Sequence, residues 1–385
     1  MKYLVLGAGL MGYACVFDLV NSESVEKVTV IDINENNLEK VSEKCKSNIL
    51  TTLKLDINND KNKLVELMKE HNTVLSVISY RYNYDLTKLA IENGCNFCDL
   101  GGNNTIVDKQ YTLNEEAKVN NVTIIPDCGL APGLASNLAV LVADRFDSVE
   151  HLKIRVGGLP QDPEPPMNYS IFFSAEGLVN EYYEIPILLR NHVEIEGEPL
   201  GDHEYLSMPG YPDIEAFNTS GGTSTLPRTL SNKVKNLDYK TIRYKGHRDQ
   251  CKILLDLGLM DYKCITVDGK EVVPRNVLMH QFYEKLPVNA KDVVLVRVEA
   301  EGILNGQTVN QKVEIVDKYD EKNDISAMMR MTSYPLSVIA QMMGKGEVKE
   351  KGVVPSELVI DNIKLVKELR KRNIDIKEYE SNRMI

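Results

Sequence analysis

The sequence predicts a doubly wound parallel α/β domain followed by a second, α+β domain with a mostly antiparallel sheet. Three observations carry this expectation. Apolar, strand-like runs alternate with helical periodicity through residues 2–125, the order of a parallel sheet covered by helices. A glycine turn stands between the first strand and the first helix. Beyond Pro126 the continuous apolar strands give way to alternating ones, which suit a sheet with one face exposed.

In order, strands are expected at 2–6, 27–33, 51–55, 73–78, 96–99 and 122–125, with helices at 10–21, 34–46, 60–70, 84–93 and 108–120. A helix over 133–145 then leads to alternating segments at 151–157, 237–245 and 292–300. Pro160 to Pro166 and Met208 to Arg228 read as long irregular loops, rich in Pro, Gly, Ser and Thr, of the kind that carries function. Ile325 to Met343 returns to helical spacing, and the remainder reads as a charged, frayed tail. A chain of 385 residues exceeds what one core usually serves, and the expected division is 1–127, 128–325 and 326–385.

Composition excludes several classes. A formal charge of −11 without a basic stripe offers no footprint for a phosphate backbone. No stretch approaches the ~20 consecutive apolar residues of a membrane span. The opening residues run straight into a glycine turn and read as a strand, not as the core of a signal peptide, so a cytoplasmic protein is expected. Seven scattered cysteines predict reduced thiols. The close pair Cys95 and Cys98 has no second pair at ligand spacing, so no metal is expected.

Gly7-Ala8-Gly9-Leu10-Met11-Gly12 is a GxGxxG turn in the strand–helix context that gives the pattern meaning. Gly7 permits the tight turn, Gly9 admits a pyrophosphate to the backbone N–H groups of Leu10 and Met11, and Gly12 lets helix and sheet pack closely. Asp32, about 20 residues beyond at the end of the second strand, suits the adenine ribose hydroxyls, or else caps the next helix. A carboxylate there repels a 2′-phosphate, and Ile33-Asn34-Glu35 supplies no cation for one, so NAD is favoured over NADP. Asp56 either approaches the adenine or caps a helix. Ser79 and Tyr80, after the fourth strand, fall at the carboxyl edge of the Rossmann sheet near the nicotinamide end.

Further blocks are more specific than the glycine turn. They are Cys98-Asp99-Leu100-Gly101-Gly102, the run from Ile124 to Gly133, Val156-Gly157-Gly158-Leu159-Pro160, Phe217 to Leu226, and Tyr239 to His247. With these blocks the chain resembles the saccharopine dehydrogenase-like family over nearly its whole length, and within it the lysine 6-dehydrogenase branch. The resemblance implies an NAD-dependent oxidative deamination at the ε-carbon of L-lysine. The products are ammonia and allysine, which cyclises to Δ1-piperideine-6-carboxylate. It also implies a homo-oligomer and a C-terminal helix packed on the Rossmann domain. A saccharopine-forming enzyme is the alternative, and an NAD-sensing regulatory protein the non-enzymatic one, since fold alone does not establish turnover.

Hydride loss from an amine-bearing carbon needs a neutral amine, hence a base that can also serve the hydrolysis of the iminium. Asp99, at the same sheet edge as Tyr80, is the expected amine partner, with Asp127 the second carboxylate; either residue also makes good turn chemistry. Strand alternation puts Tyr239, Thr241, Arg243, Lys245 and His247 on one face. Arg243 is the expected clamp for the substrate α-carboxylate, or a solvated cation. His247 is expected to titrate near neutrality and shuttle protons, or to be structural. Thr223 and Gly158 are taken as substrate-binding positions, Thr223 also fitting a plain turn.

Overall fold

The computed structural model describes residues 1–288, 290–381 and 383–384. The chain divides into two compact units, one made of Met1–Val140 and Met329–Ile374, the other of Leu141–Met328 and Asp375–Ile385. Neither unit is continuous in sequence.

The first unit is a parallel sheet of seven strands. Six are β1 (Lys2–Leu6), β2 (Lys27–Asp32), β3 (Leu50–Lys54), β4 (Thr73–Ser76), β5 (Asn96–Asp99) and β6 (Thr123–Ile125). The seventh, Gly352–Val353, lies beside β6, and the order across the sheet is Gly352–Val353, β6, β5, β4, β1, β2, β3. Tyr3, Leu4, Val5, Leu6, Val28, Val30, Val74 and Phe97 are all sealed, because helices cover both faces; this is why these strands read as continuous apolar runs. Register fixes the site. Leu6 pairs with Ile31 and with Ser76, and Ser76 pairs with Asp99. The glycine turn, Asp32, Ser79–Tyr80 and Asp99 therefore lie at one carboxyl edge, where ligands of such sheets bind. The segment expected as one helix over 108–120 is two, Asn104–Tyr111 and Asn114–Val119.

The expected frayed tail is instead built into the fold. After the helix Ala327–Gly344 come the strand Gly352–Val353, the helix Asn362–Lys371 and the strand Ile376–Glu380. Arg372 reaches Asp18, buried in helix α1 (Leu10–Val20), with Nε 2.5 Å from Oδ1. Ser337 donates to the other Asp18 oxygen at 2.6 Å, and Ser333 donates to the Met11 carbonyl at 2.9 Å. A charged helix looks solvated in sequence when its partner lies hundreds of residues away.

The second unit carries a ten-stranded sheet. Its main path runs Glu204–Met208, Tyr211–Asn218, Val234–Tyr244, Ser148–Pro160, Asp292–Leu304, Gln307–Lys318, Ile376–Glu380 and Arg383–Met384, with Ile187–Arg190 and Val193–Glu196 attached beside Val234–Tyr244. Pairing is antiparallel except between Val234–Tyr244 and Ser148–Pro160. Met208 to Arg228 is not one irregular loop. It contains the strand Tyr211–Asn218 and the short helix Leu226–Leu230. Alternation was hidden there because Glu215 is buried between Ile214 and Ala216, its carboxylate accepting N–H bonds from Gly246 and Arg248.

Candidate active site

The glycine turn is built by close contacts. Gly7 has φ +107°, and its N–H donates to the Ile31 carbonyl at 2.8 Å, a conformation that L side chains resist. A Cβ on Gly12 would collide with the Gly7 carbonyl oxygen, whereas a Cβ on Gly9 would meet nothing. Gly9 thus leaves the start of α1 open, and no side chain caps that helix. Its first N–H groups, including those of Leu10 and Met11, are presented for an anion.

Asp32 ties the turn down. Its Oδ2 accepts the Ala8 N–H at 2.7 Å and its Oδ1 the Asn34 N–H at 2.7 Å; the helix cap itself is Asn34. Asp56 accepts from the Asn58 N–H at 2.9 Å and from Asn59 Nδ2 at 2.7 Å, so it shapes the turn after β3. Gly7, Asp32, Ile33, Asp56, Ile57, Ile78 and Tyr82 line a cleft of about 150 Å³. Apolar walls with a carboxylate at one end suit a base and its ribose. Ser79 is exposed and opens a 3₁₀ turn, Tyr80–Tyr82, and the Tyr80 ring lies against Gly102.

Asp99, expected to meet the substrate amine, is turned inward. It is fully buried and accepts the Gly101 N–H at 2.7 Å and Gln110 Nε2 at 2.7 Å, together with the Asp127 N–H. Burial pushes its carboxyl up to about 6, against the pull of those bonds. Three donors make it the pin of the Leu100–Gly102 turn. Asp127, at φ +58°, packs its carboxylate on Gly101 and is buried as well.

In the second unit Arg243 is the centre of an aromatic box. Its Nε donates to the Tyr182 hydroxyl at 2.7 Å and its Nη1 to the Ile242 carbonyl at 2.9 Å. The guanidinium stacks on the Tyr169 ring at 4.8 Å, and its Nη2 lies 3.5 Å from Glu181 Oε2. Tyr239, Thr241 and Arg243 share one strand face as expected. Thr241 Oγ1 meets Thr219 Oγ1 at 2.7 Å, and Tyr239 packs against Gly222.

His247 departs from expectation. The strand ends at Tyr244, Gly246 turns at φ +95°, and His247 opens the helix His247–Asp256. Its Nδ1 lies 3.1 Å from the Met167 carbonyl and its Nε2 3.0 Å from the Tyr182 hydroxyl. A carbonyl only accepts, so Nδ1 carries the proton and Nε2 accepts from Tyr182. Burial, then Arg243, pushes the imidazole down to about 3, so it does not titrate near neutrality. It orients Tyr182, which in turn holds Arg243. Thr223 is buried, and its carbonyl accepts the Leu226 N–H at 2.9 Å, the bond of a turn. Gly158 is no open approach to a ligand either, because a Cβ there would meet Met328 Cε at 2.5 Å.

Sequence reasoning did not find Glu181, Tyr182, Tyr169 or Gln110. Glu181 and Tyr182 sit on an ordinary amphipathic helix, Ala175–Tyr183, and only the fold brings them to Arg243. Among the described residues no group of three or more His, Cys, Asp or Glu side chains is arranged to hold a metal. None of their helices is long and apolar enough to cross a membrane.

Comparison with known proteins follows this geometry. The saccharopine dehydrogenase of Schizosaccharomyces pombe (NADP(+), L-glutamate-forming) is 25% identical over 222 residues, 54% of this chain and 47% of that protein. The mitochondrial alpha-aminoadipic semialdehyde synthase of Rattus norvegicus is 22% identical over 432 residues, 92% of this chain and 45% of that protein. The chain thus spans about half the length of these curated relatives. Apo saccharopine dehydrogenase (L-Glu forming) from Saccharomyces cerevisiae shares the fold with a TM-score of 0.80, at 19% identity over 98% of this chain and 99% of that one. A homospermidine synthase from Legionella pneumophila, solved with NAD, has a TM-score of 0.64 at 11% identity, covering 99% of this chain and 91% of that one. The family model for the saccharopine dehydrogenase NADP binding domain matches residues 3–125 and that for the saccharopine dehydrogenase C-terminal domain matches 129–374, so the chain belongs to the saccharopine dehydrogenase family.

Proposed function

We propose that this chain is an NAD-dependent amino-acid dehydrogenase that oxidises L-lysine at its ε-amino carbon, releasing ammonia and allysine. The open start of α1, the collision-tight Gly7–Gly12 contact and the cleft beside Asp32 fit a dinucleotide. When bound, it supplies the acceptor for the hydride. The preference for NAD rests on the Asp32 carboxylate and the absence of a cation in Ile33-Asn34-Glu35.

Asp127, at the carboxyl edge beside Gly101, takes the proton from the substrate ammonium and later serves the attack of water on the iminium. Asp99 holds the turn on which Asp127 rests. Tyr80, beside Gly102, flanks the reacting carbon. In the second unit Arg243, fixed by Tyr182 and His247, receives the α-carboxylate.

The observation that carries lysine over a larger substrate is the company Arg243 keeps. Among the described residues Arg243 touches Tyr169, Tyr182, Glu181 and the Ile242 carbonyl, and none of these is a cation that a further carboxylate would need. The names of the relatives favour the second reading, a saccharopine dehydrogenase. A screen of NADH formation with L-lysine, saccharopine and ornithine separates the two. NADH and ammonia from L-lysine alone support the proposal; turnover of saccharopine with silence on lysine replaces it; silence on all three removes both.

A further inference from the structure

Glu181 stands out because its contact with Arg243 is loose. The 3.5 Å between Nη2 and Oε2 exceeds the ~2.7–2.9 Å of a well-made charged hydrogen bond. The guanidinium side is 3% exposed, the carboxylate side 32%. The backbone sets the position of Glu181, since its carbonyl accepts the Ser220 N–H at 3.0 Å. That bond ties the helix to the Ser220–Thr223 loop, and Tyr239 backs the loop through Gly222. A buried cation and a half-open carboxyl, which burial pushes up to about 7 against the pull of Arg243, are thus held side by side, separately anchored and walled by Tyr169, Tyr182 and Tyr239; an ammonium placed on that carboxyl favours its charged form.

Such a pair discriminates by charge pattern. A ligand bringing only a carboxylate to Arg243 also meets repulsion from Glu181. A ligand bringing only an ammonium to Glu181 meets repulsion from Arg243. A head group with one of each alternates the four charges, so that every neighbouring contact attracts. We propose that Glu181 is a specificity-determining residue that takes the α-ammonium of the substrate while Arg243 takes its α-carboxylate, which restricts the site to zwitterionic α-amino acids. The proposal rests on the reading of Arg243 as the carboxylate clamp.

Calorimetric titration of the NADH-saturated protein tests it with three probes: L-lysine, 6-aminohexanoate, which lacks the α-amino group, and cadaverine, which lacks the carboxylate. Wild type is expected to prefer L-lysine to 6-aminohexanoate by about tenfold or more, because a site built for a charged group rejects the analogue without it. Glu181→Gln should reduce that preference to roughly twofold by weakening L-lysine alone, with NADH affinity and Tm unchanged. Glu181→Asp, which keeps the charge, should restore part of it. Equal weakening of L-lysine and 6-aminohexanoate in Glu181→Gln makes Glu181 a mere counter-ion and overturns the proposal while the clamp stands. An unchanged preference overturns it as well. Wild type that binds none of the probes overturns the clamp and the proposal together.

Discussion

The glycine turn of the first unit and the tyrosine box around Arg243 in the second are held in shape by opposite means. The turn uses main chain. Gly7, Gly9 and Gly12 shape the turn, and the N–H groups at the start of α1 are left without a side-chain cap. The box uses side chains, with Arg243 held by a directed chain from its Nε through the Tyr182 hydroxyl and His247 to the Met167 carbonyl. Its parts come from the segment holding Met167 and Tyr169, the helix Ala175–Tyr183, the strand Val234–Tyr244 and the start of the helix His247–Asp256. A main-chain site is local in sequence and a side-chain site is not.

The difference is easiest to break at Gly12. Gly12→Ala forces a Cβ onto the Gly7 carbonyl and should abolish NADH binding, read by fluorescence titration. It should also lower stability by roughly 1–3 kcal/mol in thermal unfolding, the usual cost of overpacking.

The side-chain site should instead show itself in its response to acid. His247 has a folded-state pKa of about 3 against an ordinary 6.5. The stability it contributes is therefore complete above pH 6.5 and is lost as pH falls toward 3, by up to on the order of 4 kcal/mol. Replacing it by Gln should flatten the fall in Tm across that window relative to wild type. An unaltered slope would mean that His247 is protonated in the fold.

Smaller effects sharpen the contrast further. Arg243→Lys keeps the charge but loses the planar fork and the bond to Tyr182, so KM for the amino acid should rise about tenfold or more with little change in NADH affinity. Asp32→Asn should raise the affinity for NADP relative to NAD by roughly tenfold, one repulsive charge having been removed. Gly9→Ala, whose Cβ meets nothing, should leave Tm where it is and weaken only the dinucleotide. A fall in Tm there would show that Gly9 serves packing.

The same contrast explains what was legible beforehand. The parallel sheet, the glycine turn and Asp32 were visible because apolar runs and short spacings are local signals. Asp99 lies at the carboxyl edge, but its carboxylate is held by donors from Gly101, Asp127 and Gln110, and sequence position does not say which way a carboxylate turns. His247 was expected on a strand face because alternation runs on through Lys245; the left-handed Gly246 breaks it. Glu181 gave no signal, as an acidic residue on an amphipathic helix is ordinary.

The strand Gly352–Val353 and the ion pair of Arg372 with Asp18 impose an order on synthesis. β1 is translated before the other strands of its sheet, yet that sheet lacks its outermost strand, and α1 its buried counter-charge, until more than three hundred further residues have been translated. Leu141–Met328 is made before that closure and still awaits its own strand Ile376–Glu380, so neither unit should gain full protease resistance until residues 352–380 have been translated.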